Sequence, residues 1–337
     1  MSTESQPQRN AWPVITLLLL APVISELLFG VTRISTLYLL IPQVGAWGCG
    51  ALLIRHLVRA RGRGWGAVLL LGIALAVAEE CIIQQTSLAP LAGVKPDHAY
   101  GRALGVNWVY FLWALGYESV WAVTLPILLT ELIFPVRRDE LWIGRRGAVI
   151  TAAVFVFACL MAWYLWTQVY VPRFSPQSAY SVPLLYTVLA LAAIAALASA
   201  ALGPRLDPWP AAPTAARVRG AWLIGLLAFV FGLAWSALVP VAYGADPALP
   251  VAVPMAAGLV LAALAFVVLR SWAASTAWRD AHRCALVLGA LAATMLAGFV
   301  VLKLSGAPPV DVIGKLILNV VALFLLILLA RRAVKRG

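Results

Sequence analysis

The chain has 337 residues, 63% of them hydrophobic and 11% charged, with a mean hydropathy of +0.95. Soluble domains are about 45–50% apolar and about 25% charged, so this composition excludes a water-soluble globular fold and requires a bilayer as solvent. The net charge of +12 sits in short segments between apolar runs and forms no basic domain, which points to membrane orientation and excludes nucleic acid as a partner.

A helix crosses about 30 Å of hydrocarbon with about 20 apolar residues. Ten such runs follow one another, near 13–31, 35–54, 66–85, 107–134, 148–170, 181–202, 220–242, 249–269, 283–304 and 309–330. The first has one basic residue before it (Arg9), contains Glu26 and lacks a small-x-small cleavage site, so it reads as a helix and not a signal peptide. The expected fold class is all-α, a polytopic bundle of about ten spans forming a single membrane domain over 1–337. The Pro-rich segment after Gly203 offers a subdivision into 1–203 and 204–337.

Charge orients the runs. With the N-terminus inside, the outer side holds only Arg33, Lys95, Arg102, Arg173, Lys303 and Lys315, and the other 19 of the 25 basic residues lie inside. A missed or invented span would invert every later loop and spoil this bias. Both termini are therefore expected on the cytoplasmic side of a bacterial-type inner membrane. Cys49, Cys81, Cys159 and Cys284 are scattered within or beside apolar runs, with no CxxC spacing, and read as small core-filling side chains.

The chemistry lies in the acidic residues. Of thirteen, five fall inside predicted helices: Glu26, Glu79, Glu80, Glu118 and Glu131. A carboxylate at the bilayer centre costs about 2.5–3.5 kcal/mol on insertion scales, so each is expected to face the protein interior or a water-filled cavity. At about 1.5 Å per residue, Glu79 and Glu80 lie about 21 Å from the inner face, Glu26 at a similar level, and Glu118 about 16 Å from the outer face. These four share the middle-to-outer layer. Glu131 approaches the inner interface and is expected to snorkel there towards Arg137 and Arg138. Helical spacing aligns Glu80 with Gln84, whose amide is the expected donor to the carboxylate. Two carboxylates held together in low dielectric resist joint ionisation, which makes a proton- or cation-binding pair. The expected binding residues are therefore Glu26, Glu79, Glu80, Gln84 and Glu118.

Other polar groups flank this layer. Lys315, with Asn319 one turn later, either closes the site or snorkels outward. Tyr110, Trp113, Tyr117 and Trp121 form an aromatic stripe that serves packing or walls a substrate. Pro42 and Pro126 are expected to kink the second and fourth helices. No HExxH, GxxxxGK[ST] or GxSxG motif occurs, and none of His56, His98 and His282 lies at mid-membrane, so no His-ligated metal and no cofactor are expected.

Glu79-Glu80-Cys81-Ile82-Ile83-Gln84 resembles the EExxxR motif of the CPBP (CAAX-protease and bacteriocin-processing) Glu-Glu intramembrane family. That resemblance implies a multi-helical intramembrane peptidase, or an inactive relative, with Glu79 and Glu80 as base or metal ligands. Gln84 stands where the motif has arginine, and the family's later helix-borne histidines have no counterpart. More broadly, residues 21–135, with APVISELLFG, GALLIRHLVRARGRGW, AEE and PILLTELIFP, resemble a family of uncharacterised bacterial multi-pass membrane proteins, which implies no activity. The leading functional expectation is a proton- or cation-linked transporter, or a carrier of a small solute or lipid. The alternatives are the peptidase and a non-enzymatic scaffold or partner subunit, whose carboxylates serve assembly.

Overall fold

The computed structural model describes residues 11–89, 100–174, 182–203, 217–246 and 248–336. It is an all-α bundle. In chain order the main helices are α1 Trp12–Leu27, α2 Ile34–Ala60, α3 Trp65–Ile83, α4 Trp108–Ile133, α5 Arg145–Val169, α6 Leu184–Leu202, α7 Ala221–Ala242, α8 Ala252–Ala273, α9 Asp280–Leu304 and α10 Pro309–Lys335. Among the described residues nine are long and apolar enough to span a membrane, and α1 is a shorter apolar helix. It stops early because Gly30 adopts φ +82°, a left-handed conformation that ends the helix before the run of apolar residues ends. A two-stranded hairpin, β1 Arg102–Ala103 and β2 Val106–Asn107, precedes α4 with Arg102 opposite Asn107. Asn107 then caps α4, its side chain accepting from the Tyr110 amide.

Burial sorts the helices into a centre and a perimeter. In the most apolar stretch of each helix, 72% is buried in α3 and 67% in α4, against 11% in α5, α6 and α8. The exposed side chains on those outer helices are Leu, Val, Ile and Phe, as a lipid-facing surface requires. Helices α3 and α4, which carry Glu79, Glu80, Glu118 and Glu131, are thus the most enclosed of the nine long apolar helices described. One apolar cluster joins Ile24 of α1, Trp113 and Tyr117 of α4, Trp235 of α7 and Leu291 of α9, so the core runs across the Gly203 linker. A second joins Leu17, Leu52, Leu71 and Ile127 of α1 to α4. Helices α1 and α2 cross closely at Gly48, where a β-carbon would lie 2.4 Å from the Leu18 carbonyl oxygen.

Polar ties between distant segments respect the two sides assigned by charge. At the inner end Arg63 donates to the Leu202 and Gly203 carbonyls, and Arg138 pairs with Asp280. At the outer end Arg33 donates to the Ser305 carbonyl, Ser35 donates to Asp311, and Asn107 donates to the Ala242 carbonyl. Each tie joins ends that ten alternating spans place on one side. Asp311 is 1% exposed in the first turn of α10, where it accepts from Ser35 at the entry to α2.

Glu131 differs from expectation. It is buried, and its partners are Arg55 (3.0 Å) and Arg59 (2.8 Å) of α2, not Arg137 and Arg138. The reason is helix length: α2 continues past its expected end to Ala60 and carries both arginines alongside α4. The chain after Ile133 turns away through a 3-10 segment, sending Arg137 to Glu140 and Arg138 to Asp280. Arg55, itself 2% exposed, also donates to the Arg138 and Glu140 carbonyls and stacks 3.3 Å from the Trp142 ring centroid.

Two predictions follow from these ties. Reporter fusions at Arg61, Arg138, Arg217 and Asp280 are expected to read cytoplasmic, and fusions at Asp246 and Pro308 external; one inversion in either set breaks the alternation from that loop onward. Arg55→Ala leaves Glu131 to Arg59 alone and strands the Arg138 and Glu140 carbonyls, and is expected to lower stability by about 2–3 kcal/mol. Denaturation in detergent, wild type against variant, measures it.

Candidate functional site

The helix geometry at the glutamates is unusual. Five segments among the described residues are π-helical, and four of them bear on the glutamates: Val23–Leu27, Val44–Gly48, Glu79–Ile83 and Glu118–Thr124. They contain Glu26, Trp47, the Glu79–Glu80 pair and Glu118. A π segment widens the helix to i→i+5 hydrogen bonds, rotates the side chains that follow, and recurs at functional sites. Prolines adjoin three of these segments. Pro22 immediately precedes Val23–Leu27, Pro42 stands two residues before Val44–Gly48, and Pro126 lies two residues after the end of Glu118–Thr124. Pro126 has no N–H and crowds the carbonyl of Ala122, four residues back and inside Glu118–Thr124, which disfavours regular α geometry there. At Glu118–Thr124 the Thr124 hydroxyl donates to the Ser119 carbonyl, five residues back.

Glu26 and Glu80 sit at two wide helix ends built alike. The Glu26 carbonyl accepts from the Gly30, Val31 and Thr32 amides, and the Glu79 carbonyl accepts from Gln84 and Gln85. In both places the chain then folds back over the carboxyl group. Thr32 donates its hydroxyl to Glu26 (3.0 Å), and the Trp47 indole N–H donates to the other oxygen (3.1 Å). For Glu80 the donors are the Ser87 amide (2.8 Å), the Ser87 hydroxyl (2.5 Å) and the Thr86 hydroxyl (3.3 Å).

Gln84 does not take the part expected of it. The widened turn breaks the i+4 alignment, and Gln85 at φ +61° ends the helix. Among the described residues no hydrogen bond joins the Gln84 amide to Glu80; Thr86 and Ser87 supply the donors instead.

Glu118 comes to Glu80 from α4. Their carboxyl groups lie at hydrogen-bonding range of each other, and the Glu118 Oε2 atom is buried without a partner among the described residues. Glu79 lies within electrostatic range of Glu80 and Glu26, and Glu118 within range of Glu79, Glu80 and Glu26. All four are at most 8% exposed. The structure thus brings together Glu26, Glu79, Glu80 and Glu118 and leaves Glu131 at the inner end.

No arginine or lysine among the described residues pairs with any of the four. Lys315 is buried too, but its ammonium group donates to the Leu28 carbonyl (2.5 Å), so it neither closes the site nor snorkels outward. It reaches α1 past Gly298, where a β-carbon would stand 2.5 Å from Nζ. Asn319 donates to the Met295 carbonyl. The aromatic stripe is core: Trp113, Tyr117 and Trp121 stack at 4.8 and 5.5 Å, Phe29 packs on Tyr117, and the Tyr117 hydroxyl donates to the Ser25 carbonyl. Tyr110, at the outer end of the stripe, lies within electrostatic range of Glu80, Glu118 and Glu26.

Comparison with family models, with curated proteins and with solved structures finds no match to this chain. Its site is therefore argued from its own geometry. No group of three or more His, Cys, Asp or Glu residues among the described ones is placed to hold a metal ion, and His98 lies outside them.

Sequence reasoning missed Trp47, Thr32, Thr86 and Ser87. Trp47 carries a readable signal: a tryptophan deep in a span, away from the interface, needs an acceptor for its N–H. Trp47→Phe is expected to keep the packing and remove one of the two donors to Glu26, costing about 1–3 kcal/mol for an under-satisfied buried group. Thermal unfolding of the purified protein reads this cost.

Proposed function

We propose that this integral membrane protein is a proton- or cation-linked carrier of a small solute or lipid, coupled through Glu26, Glu79, Glu80 and Glu118. One observation carries the reading. Four buried carboxyl groups lie within range of one another with no basic partner among the described residues, in a chain that pairs Glu131, Glu140 and Asp280 with arginines. A buried carboxyl group without counter-charge is stabilised by hydrogen-bond donors, by a bound cation, or by taking up a proton that neutralises it.

A purely structural role accounts less well for the same groups. Carboxyl groups that serve assembly are satisfied by their hydrogen bonds, as Glu26 is, whereas Glu118 keeps an oxygen unpartnered in a buried setting. The peptidase alternative draws its support from the Glu79-Glu80 sequence alone.

The test is transport in proteoliposomes under an imposed pH or sodium gradient, with a pooled panel of labelled amino acids, sugars, nucleosides and organic ions outside. Labelled and fluorescent phospholipids in one leaflet complete the panel. Gradient-driven movement of one class is expected in the wild type, collapsing with an ionophore and abolished by Glu118→Gln. If nothing in the panel moves faster than in protein-free vesicles under either gradient, the carrier reading fails.

A further inference from the structure

We infer that the ion handled by this cluster is a proton, carried on Glu118 and held against a fixed carboxylate at Glu80. The inference rests on the carrier reading and assigns its ion. It starts from an account of the carboxyl oxygens. Both oxygens of Glu26 accept from protein donors, Thr32 and Trp47. Glu80 accepts from the Ser87 amide, the Ser87 hydroxyl and the Thr86 hydroxyl, and also meets Glu118. A proton on either group would displace a donor or find no acceptor, so Glu26 and Glu80 are built as carboxylates.

Glu118 is built differently. Neither it nor Glu79 receives a donor from the described residues, but Glu118 alone of the two meets a second carboxyl group, that of Glu80, at hydrogen-bonding range. Two carboxyl groups hydrogen-bond only when a proton lies between them. Glu80 already has its donors, so the proton belongs to Glu118, which donates to Glu80. The Oε2 atom of Glu118 is buried and takes no partner, so Glu80 offers the acceptor for the proton.

A metal cation fits this arrangement poorly. Hard cations take six or more oxygen ligands at short range. Here the oxygens of Glu26 and Glu80 face hydrogen-bond donors, which a cation would have to displace. No set of three ligating residues converges among the described ones. A proton needs one donor and one acceptor.

The groups facing Glu118 give its deprotonation a mechanical result. They are Glu79 and Glu80 of α3, Glu26 of α1, and Tyr110 and Tyr117 of its own helix; Tyr243 of α7 faces Glu80. No described cation is among them, and the Tyr117 hydroxyl is committed to the Ser25 carbonyl. Loss of the proton leaves two touching carboxylates, which repel. That repulsion acts across the α3–α4 contact, where Gly72 packs against the Ser119 backbone beside Glu118. Proton release therefore drives α3 and α4 apart at the centre of the bundle.

Infrared difference spectroscopy of the purified protein in lipid nanodiscs tests this directly, in water and in deuterium oxide, with and without sodium. A protonated-carboxyl stretch is expected at neutral pH, shifted by deuterium and unaffected by sodium. It is expected to weaken in Glu118→Gln and to persist in full in Glu26→Gln. If Glu118→Gln does not fold, Glu118→Asp serves: it keeps a carboxyl group but moves it, so the band should shift in frequency.

A band that is unchanged in both Glu118 variants, or that sodium removes at constant pH, overturns the inference. Sodium-driven solute uptake would also overturn it while leaving the carrier reading intact. The expected band together with no solute movement would uphold the proton assignment and sink the carrier reading.

Discussion

A carboxyl group in the hydrocarbon layer must find its hydrogen-bond donors, or its proton, inside the protein, because no water is there to supply them. That requirement shapes α1, α3 and α4. Each helix departs from regular α geometry at its glutamate, and in α1 and α3 the chain folds back so that Thr32, Thr86 and Ser87 reach the carboxyl oxygens. Local regularity is given up where a buried charge needs donors that an unbroken helix cannot aim at it.

The two ends of the bundle meet the same requirement in opposite ways. At the inner end Glu131 is matched by Arg55 and Arg59, and the guanidinium of Arg55 is itself exhausted by Glu131, two carbonyls and the Trp142 ring. Such a network has nothing left to bind and acts as a clamp on α2, α4 and the loop that follows. In the outer half four carboxyl groups each lie within electrostatic range of at least one other of the set, with donors for two of them and a basic partner for none among the described residues. In the carrier reading proposed above, a proton or cation completes this half.

Position in the bundle supports the contrast. Helices α3 and α4 are the most enclosed, whereas α5, α6 and α8 spend their apolar side chains on lipid. The aromatic stripe of α4 packs against α1, α7 and α9, fixing the face of α4 that Glu118 adjoins. Lys315 is used at the outer end to satisfy the Leu28 carbonyl and is thereby kept from neutralising Glu26.

The sequence by itself determined the solvent, the helical class, the alternation of sides and the residues most costly to bury. Apolar run length and the placement of arginines carry that information one segment at a time. The convergence of Glu26, Glu79, Glu80 and Glu118 was legible only as a shared depth. Which donor serves which carboxyl was not legible, because a π segment shifts helical register and voids the i+4 arithmetic that had paired Glu80 with Gln84. The partner of Glu131 depended on how far α2 runs past the apolar stretch, and the fate of Lys315 on an unobstructed path past Gly298. Those outcomes belong to the tertiary structure: hydropathy reports how deep a residue lies along its own helix, whereas pairing depends on how neighbouring helices are rotated against one another.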